Sequence, residues 1–101
     1  MEVIKDIEWF KNKIAPKLEG YGYELEYKFF KNGDFGSLNQ VEFNSSQIGG
    51  NIDFWGLGWI GFFVWNYEKE KQILNVFLEP NQEEEKEKVF EELQHLLLIQ
   101  Q

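Results

Sequence analysis

Apolar side chains near the start of the chain recur at three- and four-residue spacing. Between residues 2 and 18 this spacing predicts an amphipathic helix with a buried stripe of Val3, Ile7, Phe10, Ile14 and Leu18. Pro16 is expected to stop this helix, and Gly20 is a typical terminator. A second helix is predicted over 82–98. Its first turn is rich in glutamate, which complements the helix dipole, and its stripe comprises Val89, Phe90, Leu93, Leu96 and Leu97.

The residues between the two helices alternate between apolar and polar with the period of a half-buried strand. We predict strands over 21–29, 40–44, 48–55, 59–67 and 72–79. Turn-forming residues separate them: Asn32-Gly33-Asp34, Ser45-Ser46-Gln47, Gly56-Leu57-Gly58 and a charged tip at 68–71. The order of helix, five-strand meander and helix predicts one α+β domain over 1–101, with helices packed on an antiparallel sheet.

The fourth strand is apolar on both faces, which predicts a central strand covered on both sides. One face would present Ile60, Phe62, Val64, Leu74, Val76 and Leu78 to a helix. The other would carry Trp59, Phe63, Trp65, Tyr67, Ile73 and Phe77, with Asp53, Trp55, Glu24, Glu26 and Glu42 on the same side. Two interpretations stay open: the first helix or self-association covers this second face, or part of it binds a different partner.

Composition narrows the function classes. The 101 residues include 10 lysines and 18 acidic residues, for a formal net charge of −8, and contain neither arginine nor cysteine. Disulfides, thiolate metal sites and cysteine nucleophiles are therefore excluded. An acidic chain without arginine is poorly suited to direct binding of nucleic acid or of anionic membranes. The charged amino terminus does not resemble a signal peptide, and no segment reaches the ~20 apolar residues of a membrane span, so we expect a soluble, cytoplasmic protein.

Two motifs that could carry chemistry lack their required context. Gly56, Gly58 and Gly61 match a dinucleotide fingerprint, but a predicted strand follows them where that fingerprint needs a helix. His95 is the only histidine, so Glu92 and His95 cannot complete a usual metal set. We therefore predict no catalytic residue, metal or cofactor. A hydrolase using the carboxylates of the second sheet face ranks last among the alternatives.

One stretch differs from the rest of the chain. Residues 32–67 contain no lysine, three acids and nine of the eighteen aromatic residues. Aromatic anchors beside carboxylates are typical of the centre of a tight protein interface. The candidate partner-binding residues are Glu42, Asp53, Trp55, Trp59 and Trp65, with Glu68 and Glu70 as a rim at the hairpin tip.

The same region carries a family resemblance. Over residues 38–80, an acidic strand around Glu42 precedes two glycines, the run Ile52-Asp53-Phe54-Trp55, a glycine turn and a looser Val76-Phe77-Leu78-Glu79 ending. This order resembles the immunity proteins of bacterial polymorphic-toxin and contact-dependent growth inhibition systems. The resemblance implies a protein without catalysis that binds the carboxyl-terminal domain of one cognate toxin. Some toxins of this group are RNases that cut transfer RNA and engage elongation factor Tu, so the resemblance also implies contact with that factor through the toxin.

Electrostatics support this hypothesis independently of the resemblance. A nuclease holds its phosphate backbone in a basic cleft, and a small inhibitor of charge −8 would be steered towards that cleft. The leading hypothesis is therefore an immunity protein that occludes a toxin active site. The alternative is a small-ligand-binding or accessory α+β domain with an aromatic pocket, and homo-oligomer formation stays open.

Overall fold

Alternation between apolar and polar residues produces five consecutive antiparallel strands in one sheet, in the order in which they occur along the chain. The computed structural model describes residues 4–31 and 33–98. Its elements are α1 (Ile7–Lys13), α2 (Ala15–Gly20), β1 (Glu24–Phe30), β2 (Leu38–Asn44), β3 (Ile48–Trp55), β4 (Ile60–Asn66), β5 (Lys71–Leu78) and α3 (Glu83–Leu98). The predicted α+β architecture is confirmed.

The amino-terminal helical region differs from the single predicted helix. Asp6 caps the start of α1 by accepting a 2.9 Å hydrogen bond from the Trp9 backbone N–H, so residues 4–6 precede the helix. Pro16 does not end the helical region but lies in the first turn of α2, where its missing N–H costs little. The region therefore breaks at Ile14 and continues to Gly20. Val3, predicted to be buried, lies outside the described residues.

The strand predictions agree with the structure to within three residues at each end. The largest difference is at β1, which begins at Glu24 because Tyr21 follows α2 directly and Gly22 turns the chain with a φ of 94°. Of the predicted Asn32-Gly33-Asp34 turn, Asn32 lies outside the described residues, and the other two belong to the loop between β1 and β2.

Both helical regions pack on the same face of the sheet, which we call the helix side. Phe90 of α3 contacts Phe62 of β4 with ring centroids 4.9 Å apart, and Phe10 of α1 contacts Phe54 of β3 at 6.0 Å. Phe54 and Phe90 also stack at 6.3 Å, so the two helices share one core. Trp9 of α1 also contacts Phe90, with ring centroids 4.8 Å apart. The first helix therefore does not cover the second face of the sheet.

The predicted division of side chains between the two faces is confirmed with one exception. The helix side buries Ile60, Phe62, Val64, Leu74 and Leu78 and partly buries Val76. Ile73 was predicted on the second face, but it packs against the core. Val64 pairs with Leu74 and Trp65 pairs with Gln72, so Ile73 between them has no partner on β4 and forms a bulge that breaks the alternation. β4 was predicted to be covered on both sides, yet helices cover only one. In the described part of the chain, no helix is long and apolar enough to cross a lipid bilayer.

Candidate interaction surface

The sheet face opposite the helices, which we call the open face, brings most of the predicted site residues together. Strand register places Gln40 beside Asp53 and Glu42 beside Asn51, and it aligns Asn51 with Phe63 on β4. Because side chains alternate along each strand, residues at every second position share this face. Its strand residues include Glu24, Glu26, Lys28, Phe30, Leu38, Gln40, Glu42, Asn44, Asn51, Asp53, Trp55, Phe63, Trp65, Asn75 and Phe77.

Asp53 lies near the middle of the open face and is held by neighbouring amides. Its Oδ1 atom accepts hydrogen bonds from Gln40 Nε2 at 2.8 Å and from Asn51 Nδ2 at 3.1 Å. Both donors reach the same oxygen. The other oxygen, Oδ2, lies beside Gly61 of β4, where an added Cβ would stand 3.8 Å from Oδ2 and 3.5 Å from Cδ1 of Phe77. The two hydrogen bonds fix the direction of a partly buried carboxylate on the open face.

Glu42, the second predicted acid, already has a cationic partner. Its Oε2 atom lies 3.1 Å from Lys28 Nζ on the adjacent strand. The hydrogen bond to Glu42, together with the negative charges of Glu42 and Glu26, raises the pKa of Lys28 above its ordinary value. Glu26 lies directly opposite Glu42 in the register. Lys28 therefore offsets part of the negative charge that β1 and β2 place on the open face.

Trp55 and Trp59 belong to an aromatic cluster at one end of the open face. Phe35 lies in its middle, with ring centroids 5.5 Å from Trp55, 4.7 Å from Trp59 and 5.7 Å from Phe77. Trp59 and Phe77 also stack at 5.2 Å. The indole N–H of Trp55 is buried without a hydrogen-bond partner among the described residues. These rings cover one another, so the two tryptophans contribute to the fold as well as to the surface.

Phe35 was not among the predicted site residues, because it lies in a loop where no hydrophobic period applies. Backbone hydrogen bonds hold that loop over the sheet. Gly56 N donates to Ser37 O at 2.6 Å, and Leu57 N donates to Phe35 O at 3.1 Å. The loop between β1 and β2 is thereby joined to the turn between β3 and β4. Only this tertiary contact places Phe35 against Trp55.

Trp65 lies towards the other end of the open face. It stacks on Phe63 with ring centroids 6.4 Å apart, beside a groove of about 420 Å³ lined by these rings and by Glu42 and Asn51. Gly49 forms the floor, and a Cβ there would collide with the hydroxyl of Tyr67, which donates a hydrogen bond to Asn44. A side chain at position 49 would therefore displace Tyr67 or Asn44 from their contact at the groove.

Glu68 and Glu70 are exposed in the turn that joins β4 to β5, beyond Trp65. Glu70 occupies the left-handed backbone region with a φ of 54°. The predicted residues thus fall into three groups along the sheet. Trp55 and Trp59 lie at one end, Asp53 and Glu42 lie between, and Trp65 adjoins the two exposed glutamates at the other end.

A second concavity lies off the open face, where α1 and α3 begin. This cleft of about 320 Å³ is lined by Lys5, Asp6, Trp59, Glu83 and Lys86, among others. Lys86 is buried, and its Nζ atom lies 3.4 Å from Glu83 Oε2. Among the described histidine and acidic side chains, no three converge in a group that could hold a metal ion.

Comparisons of the chain with protein-family models, with curated proteins and with solved structures find no match. The functional argument therefore rests on the residues of the open face, their charges and their contacts.

Proposed function

We propose that the protein binds a basic toxin domain through its open face and neutralises it by occluding the active site. The observation that carries this proposal is the open face itself. It holds aromatic rings and carboxylates, and both helical regions pack on the opposite side of the sheet. A sheet face of that composition that no helix covers is typical of partner-binding surfaces.

Charge supports a basic partner. The strand residues of the open face carry the carboxylates of Glu24, Glu26, Glu42 and Asp53 against the single ammonium group of Lys28. The chain as a whole carries −8. A nuclease domain with a positive cleft would be attracted over a distance comparable to the Debye length, which accelerates association at low salt.

The residues of the open face suit different parts of such an interface. Asp53 is oriented by two amides, so it can meet a cationic side chain without first losing conformational freedom. Trp65 and Phe63 offer a groove for an apolar or aromatic side chain. Glu68 and Glu70 are exposed and fit a rim that acts mainly on the association rate. In line with the resemblance, we propose a tRNA-cleaving RNase as the toxin, with elongation factor Tu contacted only through that toxin.

Co-expression with the toxin encoded immediately upstream tests the proposal. We expect cells to survive and a complex to be recovered with the carboxyl-terminal toxin domain. A toxin variant without activity should still bind, which separates binding from any effect on expression. Cell death with no complex would refute the proposal.

The cleft beside Lys86 supports a second candidate function, binding of a small ligand. It combines a buried lysine with the indole of Trp59 in a volume suited to a metabolite. A ligand that binds the folded state raises the melting temperature by mass action. Large shifts with metabolites and none with the toxin domain would favour this function over toxin neutralisation.

A further inference from the structure

Strand β1 forms a free edge of the sheet, since β2 is its sole neighbour among the described strands. Three large side chains on it are exposed: Tyr27 by 40%, Phe29 by 61% and Phe30 by 48%. An apolar edge strand presents unpaired backbone N–H and C=O groups beside exposed apolar side chains. Such a strand is a template for pairing with another chain.

The two edges of this sheet differ in how they are protected. At the opposite edge, β5 contains the bulge at Ile73, which interrupts its register with β4. Bulges of this kind twist an edge and hinder further pairing. β1 has no such interruption, because its register with β2 runs without a shift from Glu24 to Phe30.

Charge on β1 is unbalanced within one copy of the chain. Glu26 lies directly opposite Glu42, and like charges in that position destabilise a sheet. Lys28 bonds to Glu42 at 3.1 Å. The ion pairs among the described residues are Lys28 with Glu42 and Lys86 with Glu83, so Glu26 has none.

We propose that two copies of this chain pair antiparallel along β1, with a two-fold axis through Tyr27. Reading the strand against its own reverse places Glu26 opposite Lys28 of the second copy, and Leu25 opposite its Phe29. Each of these pairs occurs twice because the interface is symmetric. Opposite charges and apolar pairs at facing positions each stabilise an antiparallel sheet. The outermost pair is Glu24 with Phe30.

This register gives β1 the charge partner and the apolar neighbours that it lacks in a single copy. Glu26 gains a cation beside it, and Tyr27 and Phe29 gain apolar neighbours on the helix side of the joined sheet. The axis stands perpendicular to the sheet, so the two open faces lie side by side on the same side of the dimer. Pairing along β1 leaves Asp53 and Trp65 uncovered, so this inference does not depend on the proposed toxin binding.

Sedimentation equilibrium of the purified full chain, without toxin, tests the association. We expect a reversible monomer–dimer equilibrium that is detectable at protein concentrations of about 1 mM or lower. Glu26→Lys makes both symmetric charge pairs repulsive and should raise the dissociation constant roughly tenfold or more. The double variant Glu26→Lys with Lys28→Glu restores both pairs, keeps a cation beside Glu42 and should recover the dimer. Glu68→Lys, an equal charge change at the exposed β4–β5 turn, should leave the association unchanged.

Single cysteines test the register, because the chain contains no cysteine of its own. Tyr27→Cys places two thiols opposite each other at the two-fold axis and should oxidise readily to a covalent dimer. Phe29→Cys faces Leu25 of the second copy and should remain largely reduced under the same conditions. A monomer at every concentration, an unchanged dissociation constant in Glu26→Lys, or equal cross-linking at both positions would overturn the proposal.

Discussion

The Tyr23 hydroxyl donates a 2.9 Å hydrogen bond to the backbone carbonyl oxygen of Leu97. Leu97 lies in the last turn of α3, where carbonyl groups have no partner within the helix. Tyr23 immediately precedes β1 and is 6% exposed, so the bond is made out of water. It ties the end of the chain's longest helix to the edge of the sheet.

Removing that hydroxyl should destabilise the fold. We expect Tyr23→Phe to lower the free energy of unfolding by about 1–2 kcal/mol, because the buried Leu97 carbonyl loses its partner. Urea denaturation measures the change. Tyr21→Phe is a matched control, since Tyr21 is 56% exposed, and it should leave the midpoint nearly unchanged. Equal effects of the two substitutions would contradict the role of this bond.

Stability should decline at alkaline pH. Burial raises the pKa of Tyr23 and of Tyr27 above their ordinary value of 10.0, and the hydrogen bond to Glu42 raises that of Lys28 above 10.5. The folded state therefore binds more protons than the unfolded state in this range. The stability that these groups contribute is fully present below their pKa values in the unfolded state. It is lost as the pH rises through their pKa values in the folded state. The free energy of unfolding of Tyr23→Phe, measured by urea denaturation, should decline less steeply over the pH range ~9–11 than that of the unsubstituted protein, because the unfolded pKa values lie near ~10. An identical pH dependence of the two proteins would contradict the contribution of Tyr23.

Gly50 should tolerate no side chain. It lies on the helix side of β3, where an added Cβ would stand 2.9 Å from Cζ of Phe43 and collide with the Phe63 backbone carbonyl. Backbone atoms of a paired strand cannot yield without breaking the sheet, so we expect Gly50→Ala to cost about 2 kcal/mol or more. Gly20→Ala, which meets nothing within 4 Å, should change stability by less than about 1 kcal/mol. Thermal or urea unfolding of the two variants provides the comparison.

Binding to the toxin domain should depend on Asp53 more than on the rim. We expect Asp53→Ala to weaken binding by ~2 kcal/mol or more, mainly through faster dissociation. Glu68→Gln and Glu70→Gln should each cost under ~1 kcal/mol and act on the association rate and its salt dependence. Stopped-flow or surface plasmon resonance measurements separate the two rates. Normal binding of Asp53→Ala would move the site elsewhere, with the acidic surface of α3 as the next candidate.

The aromatic variants need a measurement of stability beside that of binding. Trp55→Ala removes a ring that contacts Phe35, so we expect both weaker binding, by ~2 kcal/mol or more, and a lower unfolding midpoint. Trp65→Ala removes a ring of the groove and should affect binding more than folding. Unfolding of every tryptophan variant, together with normal binding by the Asp53 and Glu42 variants, would contradict an energetic centre on the open face.

The sequence by itself determined the five strands, helix α3 and, except at Ile73, which strand residues share a face. Alternation along the strands is a local property of the backbone, so the placement of Ile52 and Asp53 on opposite faces of β3 could be predicted without the fold. The glycine and asparagine turns between strands are equally local. The buried stripe of α3 followed from helical spacing, although Leu96 is only partly buried.

Only the tertiary structure decided which sheet face the helices cover. An amphipathic helix carries an apolar stripe but no signal for one face of a sheet over the other, so the stripe of α1 was compatible with either. The bulge at Ile73 and the placement of Phe35 over Trp55 likewise depend on contacts between residues far apart in the chain. Such contacts leave no period in the sequence, because they arise from packing and strand register rather than from local backbone geometry.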